Sequence, residues 1–282
     1  MFPIYLYLVA LIISPQLWIP PFIGWPTDFI IYPMLLLSIV VSGRLPNLLK
    51  FGAHELLFIG FFFAVMVGAF LNGMSAATEE QLIIYFKFFV LYKLTTALIA
   101  DVSRAQKFFK FFHILVLILA VECIQQKLSL DGSGWANQGR AWIDPDVLKA
   151  GGVGRSRWIG IFDGPGVFCV LFTISLPLLF PLLDKRHSTM RRLGGAALIL
   201  LILGATYCTG SRGGLLASVA VTGLYIMLKA KVSVRSIVIS IILAVGVYAA
   251  APSYLTKMND QSNSTQYRVE MWAAGLDMVK ER

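Results

Sequence analysis

Charged residues are scarce in this chain. Asp, Glu, Lys and Arg make up 14% of its 282 residues, whereas 57% are hydrophobic. Soluble domains carry charges at about a quarter of their positions, so this composition excludes a soluble enzyme and indicates a membrane protein. The three cysteines lie far apart in the sequence, and neither the spacing of a metal site nor that of a disulfide framework is visible.

The amino-terminal stretch MFPIYLYLVALIISPQLW lacks the features of a cleaved signal peptide. No basic residues precede its apolar part, and no cleavage site of small residues follows it. We therefore expect this stretch to be retained as the first membrane span.

Long apolar runs follow one another along the chain. A helix needs about 20 apolar residues to cross the hydrocarbon core, and open sheet edges do not survive in lipid. The runs predict an all-α, polytopic transmembrane protein with about nine spans, in which residues 1–282 form a single membrane domain. The predicted spans lie roughly at 3–22, 28–42, 55–72, 81–100, 107–124, 164–183, 193–209, 213–229 and 234–251.

Lysine and arginine are concentrated in alternate loops between these spans. Positive residues collect in the cytoplasmic loops of membrane proteins, and the loops at 23–27 and 73–80 contain none. We therefore predict a cytoplasmic amino terminus. This topology makes 125–163 an external loop and 252–282 the start of a large external loop. It also accounts for the net charge of +9 without a nucleic-acid partner.

Arg212 departs from this charge pattern. It lies in the sequence TGSRGG, in a tight outer turn between the seventh and eighth predicted spans. Gly210 and Gly213 allow the chain to reverse at backbone angles that other residues avoid. An arginine at membrane depth is costly, so we favour a phosphate ligand in a cavity for Arg212 over snorkelling to the surface or contact with lipid phosphate.

The sequence around Arg212 resembles the O-antigen ligase and polymerase family. TGSRGGLLA opens a span, RWIGIFDGPGVFCVLFTISLPL precedes it, and YRVEMWAAGLDMV follows it. The resemblance is carried by this order of T-x-S-R-G, an upstream R-x-x-G-x-F and a downstream R-x-x-x-W. It covers roughly residues 150–282.

The resemblance implies an inverting glycosyltransferase that works without a metal ion or other cofactor in the bacterial inner (cytoplasmic) membrane. Its donor would be an undecaprenyl-pyrophosphate-linked glycan, and its acceptor would be lipid A–core or a growing polysaccharide. Transfer would take place at the outer face of the membrane. The implied partners are these substrates and membrane lipids. The resemblance leaves ligase and polymerase both open.

Three arginines match the family pattern and are predicted to bind the donor pyrophosphate: Arg212, Arg268 and Arg157. Guanidinium groups form forked, charge-assisted hydrogen bonds with phosphate and stay protonated while charge grows on the leaving group. For Arg268 and Arg157 the alternative is an ordinary solvated charge, and Arg155 is an equivalent loop charge. The residues predicted to support the site are Gly210, Ser211, Gly213, Trp272 and Asp163.

Two of these supporting residues have specific expected roles. Trp272 would anchor Arg268 at membrane depth, because residues 266–281 read as a helix lying at the interface. Asp163 would cap the sixth span, with Pro165 in the first turn of that helix.

No candidate for the catalytic base follows from this chain, and that residue is unknown. The base proposed for the family is a histidine in the large external loop, but His54, His113 and His187 all map to the cytoplasmic side of the predicted topology. The chain ends at DMVKER, inside the helix predicted to contain Arg268. We therefore expect an incomplete domain whose external histidine lies beyond Arg282 and which is inactive alone.

A membrane transporter, such as a flippase for lipid-linked oligosaccharide or an anion carrier, is the competing hypothesis. Transporters often have interrupted spans and ionisable residues at mid-bilayer. Here the arginines fall at the predicted outer face, and the mid-span charges are Lys87 and Lys93, which can snorkel in opposite directions. This arrangement favours chemistry on one side of the membrane.

Overall fold

The computed structural model describes residues 1–71, 73, 76–129, 132–134, 155–162, 164–230, 242 and 264–280. Over these residues the regular elements are helices and no strand is formed, which confirms the predicted all-α class. The α-helices are α1 Phe2–Leu8, α2 Thr27–Val41, α3 Leu45–Leu48, α4 Ala53–Leu71, α5 Ala76–Leu98, α6 Val102–Leu128, α7 Pro165–Leu179, α8 Thr189–Cys208, α9 Arg212–Ala230 and α10 Ser264–Lys280.

Five helices in the described part of the chain are long and apolar enough to cross a membrane. They are α4, α5, α6, α8 and the combination of α7 with a following 3-10 turn at Phe180–Leu183. The chain is therefore a polytopic membrane protein. The predicted span at 213–229 coincides with α9, and the predicted span at 234–251 falls largely outside the described residues. The total of about nine spans and the cytoplasmic amino terminus stay predictions.

The first predicted span, 3–22, ends earlier than expected. A π-helical turn at Val9–Ile13 extends α1, and Ser14 then adopts a left-handed conformation with φ 53°. Short 3-10 turns follow at Pro15–Leu17 and Pro20–Phe22. Proline lacks the amide hydrogen needed to continue a helix and disfavours helical angles in the residue before it. The apolar run therefore continues to Phe22, but the helix does not.

The described residues fall into two compact units, the first formed by Met1–Leu119 and Ile159–Ile161. Its core includes Ile4, Ile31, Leu35, Ile39 and Leu98. In this unit Lys93 pairs with Glu55 at 3.4 Å and also donates to the carbonyl of Lys50. Lys87 pairs with Asp28 at 3.2 Å. Both mid-span lysines of α5 thus have an acidic partner at the start of another helix.

The second unit comprises Ala120–Trp158 and Phe162–Arg282. Within it, α7 packs against both α8 and α9. The core includes Trp158, Phe168, Phe172, Leu176 and Ile202. The hydroxyls of Thr173 and Ser218 bond each other at 3.0 Å and join α7 to α9 inside this core. These contacts fix the start of α9, where the arginine turn lies.

Candidate functional site

The turn between α8 and α9 is built by local hydrogen bonds. Gly210 has φ 63°, and its amide donates to the carbonyl of Tyr207 at 3.0 Å as α8 ends. The Ser211 hydroxyl accepts from the amide of Gly214 at 3.2 Å, and so caps the first turn of α9. Arg212 is therefore the first residue of α9, where the helix dipole favours a negative charge.

Glycine also allows α9 to approach α7 closely. A Cβ atom at Gly214 would collide with the sulfur of Cys169, whereas a Cβ at Gly213 would meet no described atom within 4 Å. The sequence predicts that Gly213 is needed for the tight turn. In the structure, Gly210 adopts the left-handed backbone angle, and Gly214 makes the close contact with Cys169.

A second element of the candidate site is the segment Arg155–Trp158. The amide of Ser156 donates to the carbonyl of Cys208 at 3.2 Å, and its hydroxyl donates to the carbonyl of Cys123 at 2.8 Å. Ser156 and Trp158 are buried, while Arg157 is exposed and Arg155 is partly exposed. Burial alternates along this segment, so the two arginines lie on its less buried side.

The segment is also held by the side chain of Gln126 near the end of α6. The Gln126 amide oxygen accepts from the amide of Arg157 at 3.1 Å, and its nitrogen donates to the carbonyl of Arg157 at 3.0 Å. The same nitrogen donates to a carboxylate oxygen of Glu122 at 3.1 Å. Both side chains are fully buried. The backbone at Arg157 is therefore fixed by side chains that face the interior of the second unit.

The side chain of Arg155 lies against the arginine turn. A Cβ atom at Gly210 would lie 3.0 Å from Cγ of Arg155, 3.5 Å from its Cδ and 3.6 Å from its Nε. Arg155 thus contacts the backbone two residues before Arg212. Sequence reasoning preferred Arg157, since only that residue fits the R-x-x-G-x-F pattern. The structure places Arg155 in contact with Gly210 and fixes Arg157 through its backbone.

Sequence reasoning also missed Gln126 and the buried state of Glu122. The two residues are four positions apart on a helix and so share a face, which was the available signal. In the structure Glu122 accepts a hydrogen bond from Gln126, and Lys87 pairs with Asp28.

The remaining predicted site residues are less fully described. The helix predicted at 266–281 is present as α10, Ser264–Lys280, and Trp272 is 73% exposed on it. The side chain of Arg268 and the whole of Asp163 lie outside the described residues. Gly164, with φ 112°, occupies the N-cap position that was expected for Asp163, and Pro165 follows in the first turn as predicted.

Comparison with known proteins gives one family match. A family model described as O-antigen ligase matches residues 196–282. The matched region contains the turn with Arg212 and the helix α10, while the segment Arg155–Trp158 precedes it. This match confirms the resemblance to the O-antigen ligase family over residues 196–282. No curated protein and no solved structure matches the chain.

Proposed function

We propose that this chain, whose residues 196–282 match a family model described as O-antigen ligase, belongs to that family and acts in the transfer of a glycan from an undecaprenyl-pyrophosphate-linked donor. The acceptor is lipid A–core or a growing polysaccharide, and transfer takes place at the outer face of the bacterial inner membrane. The proposal is supported by the family match and by the apolar helices of a multi-pass protein. The contact of Arg155 with Gly210 carries the assignment of the site, because it adds a second arginine to the turn of Arg212.

The reaction requires stabilisation of a leaving group with growing negative charge. The acceptor hydroxyl attacks the anomeric carbon from the face opposite the phosphate, the bond from carbon to phosphate oxygen breaks, and the hydroxyl proton leaves to a base. The electron pair of the broken bond stays on the pyrophosphate. Fixed cationic hydrogen-bond donors directed at that oxygen lower the barrier, since they are already oriented when charge develops. We assign no base among the described residues.

Arg212 is the first residue we assign to the pyrophosphate. It starts α9, so the amides and dipole of the helix terminus act on the same anion as its guanidinium. Arg155 is the second, through its contact with Gly210. Arg157 is the third, because it is exposed on a backbone held by Gln126. Arg268 and Trp272 are assigned to the site on the family pattern alone.

The hydrogen bonds beneath these arginines contribute by orienting them before the donor binds. Ser156 is buried and bonded to two different helices, and Gln126 holds the next residue at two points. Groups held in place in this way lose little further conformational freedom when a ligand binds. More of the free energy of each contact therefore contributes to affinity and to rate.

The proposed function is tested by glycan transfer in cells that lack other O-antigen ligases and polymerases, with the protein expressed from its own gene. We expect Arg212→Ala to abolish the glycan ladder at unchanged membrane levels, and Arg212→Lys to restore a part, since an ammonium group cannot form the forked pair. Arg192→Ala is the matched control, because Arg192 is exposed in the first turn of α8. A full ladder from Arg212→Ala would contradict the proposal.

Two finer points of the proposal have their own tests. Inversion is read from the anomeric configuration of the new linkage by NMR, and a product with the donor's configuration would contradict it. Metal independence predicts an undiminished ladder from membranes treated with a chelator of divalent cations.

A further inference from the structure

A cavity of about 250 Å³ lies in the first unit, and its mostly apolar walls carry several polar side chains. Its walls include Tyr7 and Gln16, Asp28 at the start of α2, Tyr32, and Lys87 of α5. The Lys87 ammonium and the Asp28 carboxylate are 3.2 Å apart, and both side chains are 49% exposed. The cavity therefore offers an ammonium donor, a carboxylate acceptor, an amide and two phenol groups with their formal charges balanced.

Gln16 lines this cavity and carries an unsatisfied polar atom. Its side-chain nitrogen donates to the carbonyl of Ala10 at 3.0 Å. Its side-chain oxygen is buried and, among the residues that the structure describes, has no hydrogen-bond partner. A buried acceptor in this state is costly, and a ligand hydroxyl that donates to it would remove the cost.

An apolar groove of about 370 Å³ adjoins the cavity. The apolar part of its wall includes Leu6, Val9, Ile19, Phe22 and Trp25. Ala10, Gln16, Thr27 and Ile31 line both the groove and the cavity. These four residues therefore lie between the two spaces, where a ligand with a polar head and an apolar chain would pass from one to the other.

We propose that these two spaces together bind one membrane lipid with a sugar headgroup. The sugar hydroxyls lie in the cavity against Gln16 and the Lys87–Asp28 pair, and the lipid chain lies in the groove. Hydroxyls donate to the Gln16 oxygen and to Asp28 and accept from Lys87, so the amide and both charged groups of the wall are used. An anionic phosphate headgroup suits this cavity less well, since Lys87 is already neutralised and the phosphate would meet the carboxylate of Asp28.

The location of the two spaces agrees with a lipid ligand. Asp28 lies in the first turn of α2, and Phe22 and Trp25 are partly exposed beside it with their rings edge to face at 5.3 Å. Tryptophan is enriched where the hydrocarbon core meets the headgroups, which is the depth of a sugar headgroup. The proposal uses residues of the first unit only and does not rest on the proposed glycan transfer.

Lipid binding to the purified 282-residue chain, measured by native mass spectrometry, tests this proposal. The probes are glucosyl-diacylglycerol, phosphatidic acid and diacylglycerol with the same acyl chains. We expect the glucosyl lipid to bind at least tenfold more tightly than either of the others. Gln16→Leu should weaken its binding about fivefold. The exposed Gln106 on α6 gives the matched control, and Gln106→Leu should bind as the wild type does.

A second variant tests the proposal independently of Gln16→Leu, in case that substitution disturbs folding. The Lys87–Asp28 pair is half exposed, and such pairs contribute little to stability, so Lys87→Met/Asp28→Asn should fold normally. We expect it to weaken the glucosyl lipid about fivefold, while Lys110→Met, at an exposed position on α6, leaves binding unchanged.

Four results would overturn the proposal. These are tighter binding of phosphatidic acid than of the glucosyl lipid, equal binding of diacylglycerol, equally tight binding of methyl glucoside without a chain, and wild-type affinity in the double variant. None of these results depends on catalysis, so failure here is distinguishable from failure of the glycan-transfer proposal.

Discussion

Replacement of Gln126 by leucine should loosen the segment that carries Arg155 and Arg157. Gln126 is fully buried, and its amide makes two hydrogen bonds to the backbone of Arg157 and one to Glu122. Leucine has a similar size but no polar atoms, so Gln126→Leu removes all of these hydrogen bonds while largely preserving the packing of α6.

The expected size of the effect follows from the number of hydrogen bonds lost. A typical intramolecular hydrogen bond contributes about 0.5–1.5 kcal/mol net, so losing three costs about 1.5–4.5 kcal/mol of local stability. Because this cost lowers the free energy for local opening of the segment, its amide hydrogens should exchange roughly 12- to 1,600-fold faster. The amide of Arg157 should respond most, because Gln126 is its acceptor.

Hydrogen exchange followed by mass spectrometry on peptides that contain residues 155–158 measures this change. Gln125→Leu is the matched control, since Gln125 is exposed one position earlier on the same helix. We expect its exchange to match that of the wild type. Unchanged exchange of the Arg157 amide in Gln126→Leu would refute the inference that this side chain holds the segment in place.

Two further predictions concern a glycine and a surface ion pair. Gly210→Ala forces a residue with a Cβ to adopt φ 63° and brings that atom to 3.0 Å from Cγ of Arg155, so we expect a loss of about 1–2 kcal/mol in thermal unfolding. Gly213→Ala should show no loss, and equal destabilisation by both changes would contradict this. For Asp101, the hydrogen bond from Arg44 lowers the pKa of the carboxyl, so the contact stabilises the fold above about pH 4 and is lost as pH falls through the lower folded pKa. The Tm difference between wild type and Asp101→Asn should therefore be present at pH 7 and shrink by pH 3, whereas a difference independent of pH would be inconsistent with this contact.

The long helices could be predicted from the sequence because apolar runs of this length have few alternatives in lipid. The run at 164–183 begins one residue before α7 and ends with its 3-10 turn at Leu183, and the predicted helix at 266–281 coincides with α10 to within two residues. Proline at the start of α7 marked that boundary, because its missing amide hydrogen costs nothing there.

The end of the first helix was not predicted because hydropathy averages over residues that break helices. Residues 14–22 add Leu17, Trp18, Ile19 and Phe22 to the apolar stretch, yet Pro15 and Pro20 each open a short 3-10 turn. Pro15 disfavours helical backbone angles at Ser14, so the positions of the prolines predict that the helix ends at Ile13.

The candidate site was predicted in part. The turn with Arg212 was recognisable because its glycines and serine are consecutive in the sequence. The contact of Arg155 with Gly210 was not, since it depends on the bond from Ser156 to Cys208, residues far apart in the chain. Gln126 was missed for the same reason, because its partner Arg157 is separated from it by a long loop.

Binding of undecaprenyl pyrophosphate to the purified chain in nanodiscs tests the role of Arg212 without requiring catalysis. Loss of a charged hydrogen-bonding group costs about 1.5–3 kcal/mol, so Arg212→Ala should raise the Kd roughly 10- to 150-fold, with Arg212→Lys between it and the wild type. Arg192→Ala should leave the Kd unchanged, and undecaprenol, which lacks the pyrophosphate, should bind the wild type and Arg212→Ala equally. A Kd for undecaprenyl pyrophosphate that is the same in Arg212→Ala and wild type would contradict the assignment of this turn as the donor site.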